Sequence, residues 1–111
     1  MIAEGPVANN ALSIHLPHEE WPAANGYRLH VLIRPEPLEG GGFDFSTRAL
    51  NLRGVAGTGD TKDEALASIR TAAEAAILTY LERGQEIPWN HEPPQIPPDC
   101  EHKWIIVVPH A

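Results

Sequence analysis

The apolar positions of this chain fall into two different periods. Between residues 59 and 84, GDTKDEALASIRTAAEAAILTYLERG, the residues Leu66, Ile69, Ala73, Ala76, Ile77, Tyr80 and Leu81 recur at three- and four-residue steps. That spacing lines one side of an α-helix. Lys62, Ser68, Arg70, Glu74 and Glu82 take the other side. The ends are marked too. Thr61 stands where an N-cap belongs and Glu64 follows three residues on, the spacing of a capping box. Asp63 and Glu64 set negative charge against the positive end of the helix dipole. Arg83 suits the negative end, and Gly84 can take the left-handed conformation that closes a helix. The pattern predicts a helix over 61–83 with one apolar side, which needs a surface to lie on.

The second period is two. In residues 27–34, YRLHVLIR, Tyr27, Leu29, Val31 and Ile33 alternate with Arg28, His30, Leu32 and Arg34, as in a half-buried strand. Pro35 and Pro37 are expected to end it. Glu39 and the glycines at 40–42 make a turn. Residues 43–50 return as a second strand with Phe43, Phe45 and Thr47 on one side. Asn51 and Gly54 punctuate it, and a third short strand is expected over 55–58. Three consecutive strands with short turns predict an antiparallel meander.

Residues 85–102 hold five prolines and read as an extended, polyproline-like connection. Residues 103–108, KWIIVV, form an unbroken β-branched and aromatic run, the mark of a strand covered on both faces. The expected class is therefore α+β in the order β-β-β-α-β, with the last strand beside the first and one helix packed on one face. Residues 27–111 make one domain. Residues 1–26 read as an N-terminal extension, frayed and partly disordered, in which Leu12, Ile14 and Leu16 alternate as a short strand that Pro17 stops.

Composition narrows the function classes. A length of 111 residues suits a single domain. The formal charge of -7 speaks against a nucleic-acid surface, which needs clustered Lys and Arg, so direct DNA binding is not expected. Acidity suits solubility and an encounter with a basic protein. Cys100 is the only cysteine and forms no internal disulfide. No apolar run approaches the roughly 20 residues of a membrane span. The start of the chain lacks the basic and apolar regions of a signal peptide, so the expected location is the cytoplasm.

Candidate chemistry is thin. A ribonuclease-H-type site gathers about four carboxylates on two metals, yet the strand at 27–34 contains no Asp or Glu. Asp44, Asp60, Asp63 and Asp99 fall in turn, cap and loop. His15 with His18, or His91 with Cys100 and His102, are the nearest metal groupings, and neither has the paired close spacing of a structural zinc site. Cys100 and His102 have no third group to orient them as nucleophile and base. The glycines at 40–42 and the run at 57–61 lack the Gly-Lys-Ser/Thr of a phosphate loop and read as turns. No catalytic residue, cofactor or metal ligand is assigned. Contact surfaces remain. Trp21, Trp89 and Trp104 are the large anchors, and Trp89 in the proline-rich connection is the favoured contact residue. A terminal strand at 104–108 on the sheet edge exposes backbone groups, which predicts a homodimer through that edge.

Several short motifs come in a telling order. Residues 27–36 form a strand ending in Glu36. Gly41-Gly42-Phe43 follows, then Leu52-Arg53-Gly54-Val55, Gly59-Asp60-Thr61, Glu64-Ala65-Leu66, Tyr80-Leu81-Glu82 and Ile87-Pro88. In this order and spacing the chain resembles the HicB family of antitoxins over residues 27–88, specifically its N-terminal, partial ribonuclease-H-like domain. Arg53 and Val55 replace a proline and a cysteine common in that turn, and the segment 43–54 is about two residues longer. The family's usual DNA-binding domain has no counterpart after the last strand, so operator binding is not carried over. Residues 1–26 have no counterpart either.

The resemblance implies a non-enzymatic bacterial protein that binds and neutralises a small, basic, RNA-cleaving toxin of the HicA type. Its contacts are expected from the exposed sheet face and edge, at Arg28, His30, Arg34 and Trp104, and from the proline-rich segment at Trp89. Two alternatives stay open: a solitary HicB-like interaction or scaffold module without a toxin, and a degenerate hydrolase on a ribonuclease-H-like sheet.

Overall fold

The computed structural model describes residues 26–109. The short strand expected at 11–16, with Trp21, His15 and His18, lies outside the described residues. Five elements follow in order: β1 (Tyr27–Pro37), β2 (Phe43–Ala49), β3 (Ala56–Gly59), α1 (Lys62–Glu82) and β4 (Glu101–Val107). The strands form one antiparallel sheet in the order β3-β2-β1-β4, and α1 lies on one face of it. The α+β class, the element order and the place of the last strand beside the first are as expected.

The helix begins and ends as its sequence dictates. Thr61 is extended, and its hydroxyl accepts the Glu64 N–H at 3.1 Å. The Glu64 carboxylate reaches back to the Asp60 N–H at 2.9 Å, one residue before the cap itself. At the other end the Gly84 N–H donates to the Leu81 carbonyl and the Gln85 N–H to the Tyr80 carbonyl, with Gly84 at φ 65°. This pair of bonds is a Schellman motif.

The buried side of α1 is narrower than the periodicity predicts. Ala65, Ile69, Ala73 and Ile77 are buried at strict four-residue steps, Leu66, Ala76 and Tyr80 are half-buried, and Leu81 is 45% exposed. The reason lies in β3. A Cβ on Gly57 would come within 2.5 Å of the Ile69 backbone nitrogen, and one on Gly59 within 2.5 Å of the Ala65 nitrogen. The glycines at 57 and 59 are therefore not turn residues. They let the helix backbone settle directly onto β3 beside Ala65 and Ile69.

β1 runs further than expected, through Pro35 and Pro37, which sit opposite Phe45 and Phe43 of β2. Pairing with β4 stops at Ile33. Two prolines two residues apart turn their missing N–H groups to one edge, and beyond Ile33 an edge without a β4 partner receives them. On the helix side the core gathers Leu29, Val31, Ile33, Ala49, Leu52, Val55, Ile69, Ala73, Ile77, Ile105 and Val107. Each of its large fully buried aliphatics is worth about 1.5–3 kcal/mol of burial. Thr47 enters the same layer and satisfies its hydroxyl by donating to the Ala65 carbonyl at 3.1 Å.

β4 departs from expectation. Ile105 and Val107 face the core, but Trp104, Ile106 and Val108 are 47%, 38% and 37% exposed. The run is covered on one face only, and among the described residues β4 pairs with β1 alone. Its far end meets the start of the domain. Gly26, at φ 139°, lies so close to the Val107 carbonyl that any Cβ there would collide with it.

Candidate functional site

The face of the sheet turned away from α1 carries Arg28, His30, Leu32 and Arg34 from β1, Ser46 and Arg48 from β2, and His102, Trp104 and Ile106 from β4, by the alternation of the strands. Register sets His30 opposite Trp104 and Leu32 opposite His102. The His30 ring stacks on the Trp104 indole, centroids 4.4 Å apart and planes within 10°. Its Nε2 lies 3.0 Å from His102 Nδ1, so one ring donates its N–H to the other's lone pair. Three aromatic rings from two strands thus form one unit.

The proline-rich connection is a strap along this same face. It leaves the helix on the core side, where Trp89 stacks on Tyr27 with centroids 6.2 Å apart and bridges to Leu52. It then turns the corner at the end of β2. The Asn90 N–H donates to the Asn51 carbonyl at 2.9 Å and Asn90 Nδ2 to the Leu50 carbonyl at 3.4 Å. Beyond that corner, residues 90–94 border a cavity of about 190 Å³ with His30 and Trp104. The strap ends where Asp99 pairs with Arg34 at 3.9 Å.

Asn51 is the pin of this corner. It is buried, its Oδ1 accepts the His30 N–H at 2.8 Å, and its Nδ2 donates to the Arg28 carbonyl at 3.2 Å. One side chain thereby satisfies two backbone groups of β1 that have left the ladder, and its own carbonyl holds the strap.

The expected contact residues divide accordingly. His30 and Trp104 are brought together. His30 is only 8% exposed, so a partner meets it chiefly through Trp104 and His102. Arg28 lies beside them, opposite Ile106. Arg34 stands at the far end of the face, held by Asp99. Trp89 is on the other side of the sheet, half-buried against the core. The sequence alone does not mark His102 and Asn51 as contact residues. The 72-residue separation of His30 and His102 leaves no local signal, and Asn51 reads as punctuation.

A second depression of about 460 Å³ lies between the strap and β2, bordered by Arg48, Arg53, Asn90 and Glu92. Residues of both charges border it. Among the described residues no three His, Cys, Asp or Glu side chains converge as metal ligands. The surroundings of Cys100 favour its thiol over its thiolate. Desolvation pushes its pKa up; Arg34 lowers it, while the Asp99 carboxylate, 3.7 Å from Sγ, and Glu36 add to the rise. A reactive cysteine needs the opposite surroundings. No described helix is long and apolar enough to cross a membrane.

No family model, no curated protein and no solved structure matches this chain.

Proposed function

We propose that this chain is a protein-binding domain of the HicB antitoxin type, which neutralises a small, basic, RNA-cleaving toxin by covering its active surface. The observation that carries the reading is the exposed outer side of β4. Trp104, Ile106 and Val108 present apolar area beside His102 and Arg28, on a sheet face that α1 leaves free. Exposed tryptophan flanked by polar groups is the composition of an interface centre with its rim. The order β-β-β-α-β and the Gly59-Asp60-Thr61 helix start fit the same reading.

The mechanism is occlusion and asks for no catalytic group. The chain's charge of -7 draws a basic partner into encounter, and short-range contact with the Trp104 patch fixes the complex. The helix packs closely on the glycines of β3 on the core side, and the outer face is offered for contact.

The test takes as the candidate toxin a small, basic gene product encoded in the same genome, purified alone and with this chain. The expected result is RNA cleavage by that product, abolished at equimolar chain. Trp104→Ala should weaken the inhibition by at least about tenfold, as for an interface hot spot. Cleavage that proceeds unchanged with the chain present would sink the reading.

A further inference from the structure

The edge of β4 that no described residue pairs with is self-complementary, and we infer that two copies of this chain pair there, antiparallel, into one continuous eight-stranded sheet. The inference goes beyond the toxin reading and does not rest on it. Three observations lead to it. β4 is a terminal strand of the sheet and among the described residues has one neighbour only, β1. A seven-residue edge strand with apolar side chains is a template for another strand unless something blocks it. The usual blocks are missing from its middle: residues 103–108 contain no proline and no acid, and Lys103 is their only charge. In a chain with 15 acidic against 8 basic residues, this is where a second copy can approach with the least repulsion.

The side chains choose the register. Two-fold antiparallel pairing sets residues of one face opposite each other. Centred on Lys103, it opposes the two ammonium groups, which destabilises a sheet, and sets Trp104 against His102. Centred on Ile106, it places Ile106 against its own counterpart, and Trp104 of each copy against Val108 of the other. Every exposed apolar residue of the strand then meets an apolar one, and the Lys103 side chains move to the outer ends. Pro109 stops the pairing at the same ends, since it has no N–H to give. The stripe of Trp104, Ile106 and Val108 doubles into a six-residue apolar band on the outer face, with a His30, His102 and Trp104 unit at each end.

A cysteine scan of the full-length chain by light scattering and oxidation tests this. The unmodified chain is expected to run at twice its monomer mass, and Ile106→Lys, which opposes two cations at the centre, should weaken association by at least about tenfold. Its fold is checked by circular dichroism. In a Cys100→Ser background, Ile106→Cys should cross-link into a covalent dimer on mild oxidation, whereas Thr71→Cys on the solvent side of α1 should not. A chain that stays monomeric at about 100 μM overturns the inference, because the edge is then occupied in another way. A dimer that Ile106→Lys leaves intact, or one in which position 106 does not cross-link, overturns it as well. Toxin inhibition is measured separately, so either reading can fail alone.

Discussion

His30 Nε2 and His102 Nδ1 meet at 3.0 Å across the β1–β4 pairing, with the His30 ring stacked on Trp104. The contact joins the last strand to the first through side chains as well as backbone. A double-mutant cycle of His30→Ala and His102→Ala should give a coupling of about 0.5–1.5 kcal/mol, the net worth of one hydrogen bond. His30→Ala alone should cost more than His102→Ala, because His30 is buried and also loses the indole stack. Denaturant unfolding of the four proteins measures this, and zero coupling would show the contact to be energetically idle.

Asn51 satisfies two β1 backbone groups at once. Asn51→Ala should therefore destabilise the domain by about 1–3 kcal/mol, the cost of leaving buried polar groups unpaired. Asn51→Asp retains the acceptor for the His30 N–H but replaces the donor to the Arg28 carbonyl with an oxygen, and should recover little of the loss. Amide exchange at residue 30 should speed up in the alanine variant.

Much of this fold was legible because its signals are local. Alternation in 27–34, the cap at Thr61 and the stop at Gly84 each involve neighbours in sequence. The misjudged features depend on partners elsewhere. Pro35 and Pro37 are strand breakers in isolation, yet they fit where β4 withdraws. The periodicity of α1 counts Leu66 and Leu81 with Ile69, Ala73 and Ile77, yet the buried line is Ala65, Ile69, Ala73 and Ile77, where Gly57 and Gly59 bring the backbones together. Residues 103–108 look doubly buried by composition, and only the placement of the one helix leaves Trp104, Ile106 and Val108 exposed on the other side. In the candidate site, Trp104 and His30 could be named individually; their union with His102 and the strap could not.

The close approach of α1 to β3 makes a direct prediction. Gly57→Ala and Gly59→Ala each place a methyl within 2.5 Å of helix backbone, so each should cost about 1–3 kcal/mol through displacement of the helix. Thermal melts of the single variants check this. A variant as stable as the parent would mean that the helix can shift without loss.

Thr61 accounts for the helix start. Thr61→Ala removes the acceptor for the Glu64 N–H and should cost about 1 kcal/mol, whereas Thr61→Ser or Thr61→Asp should restore most of it. Chemical denaturation of the three variants separates a cap from a mere turn residue.

Cys100 gives a pH-dependent readout of the end of the strap. Its pKa is raised, so below it the thiolate fraction, and with it the alkylation rate, stays lower than that of a free cysteine. Asp99→Asn removes one cause of the rise, lowers the pKa and should speed alkylation near neutral pH. Arg34→Gln removes the opposing cation and should slow it. Iodoacetamide kinetics across pH would contradict the assignment if both variants moved the profile the same way.

The contact of Gly26 with the Val107 carbonyl brings the two ends of the domain to a single corner. A circular permutant that joins residue 109 to residue 26 by a few linker residues and opens the chain in the 38–42 turn should keep every strand pairing described above. The same corner is the root of everything the chain carries outside 26–109. A bulky domain joined directly to residue 26 or residue 109 therefore stands next to the end of β4 and acts as a wedge on assembly there, whereas an insertion at 38–42 leaves that edge untouched.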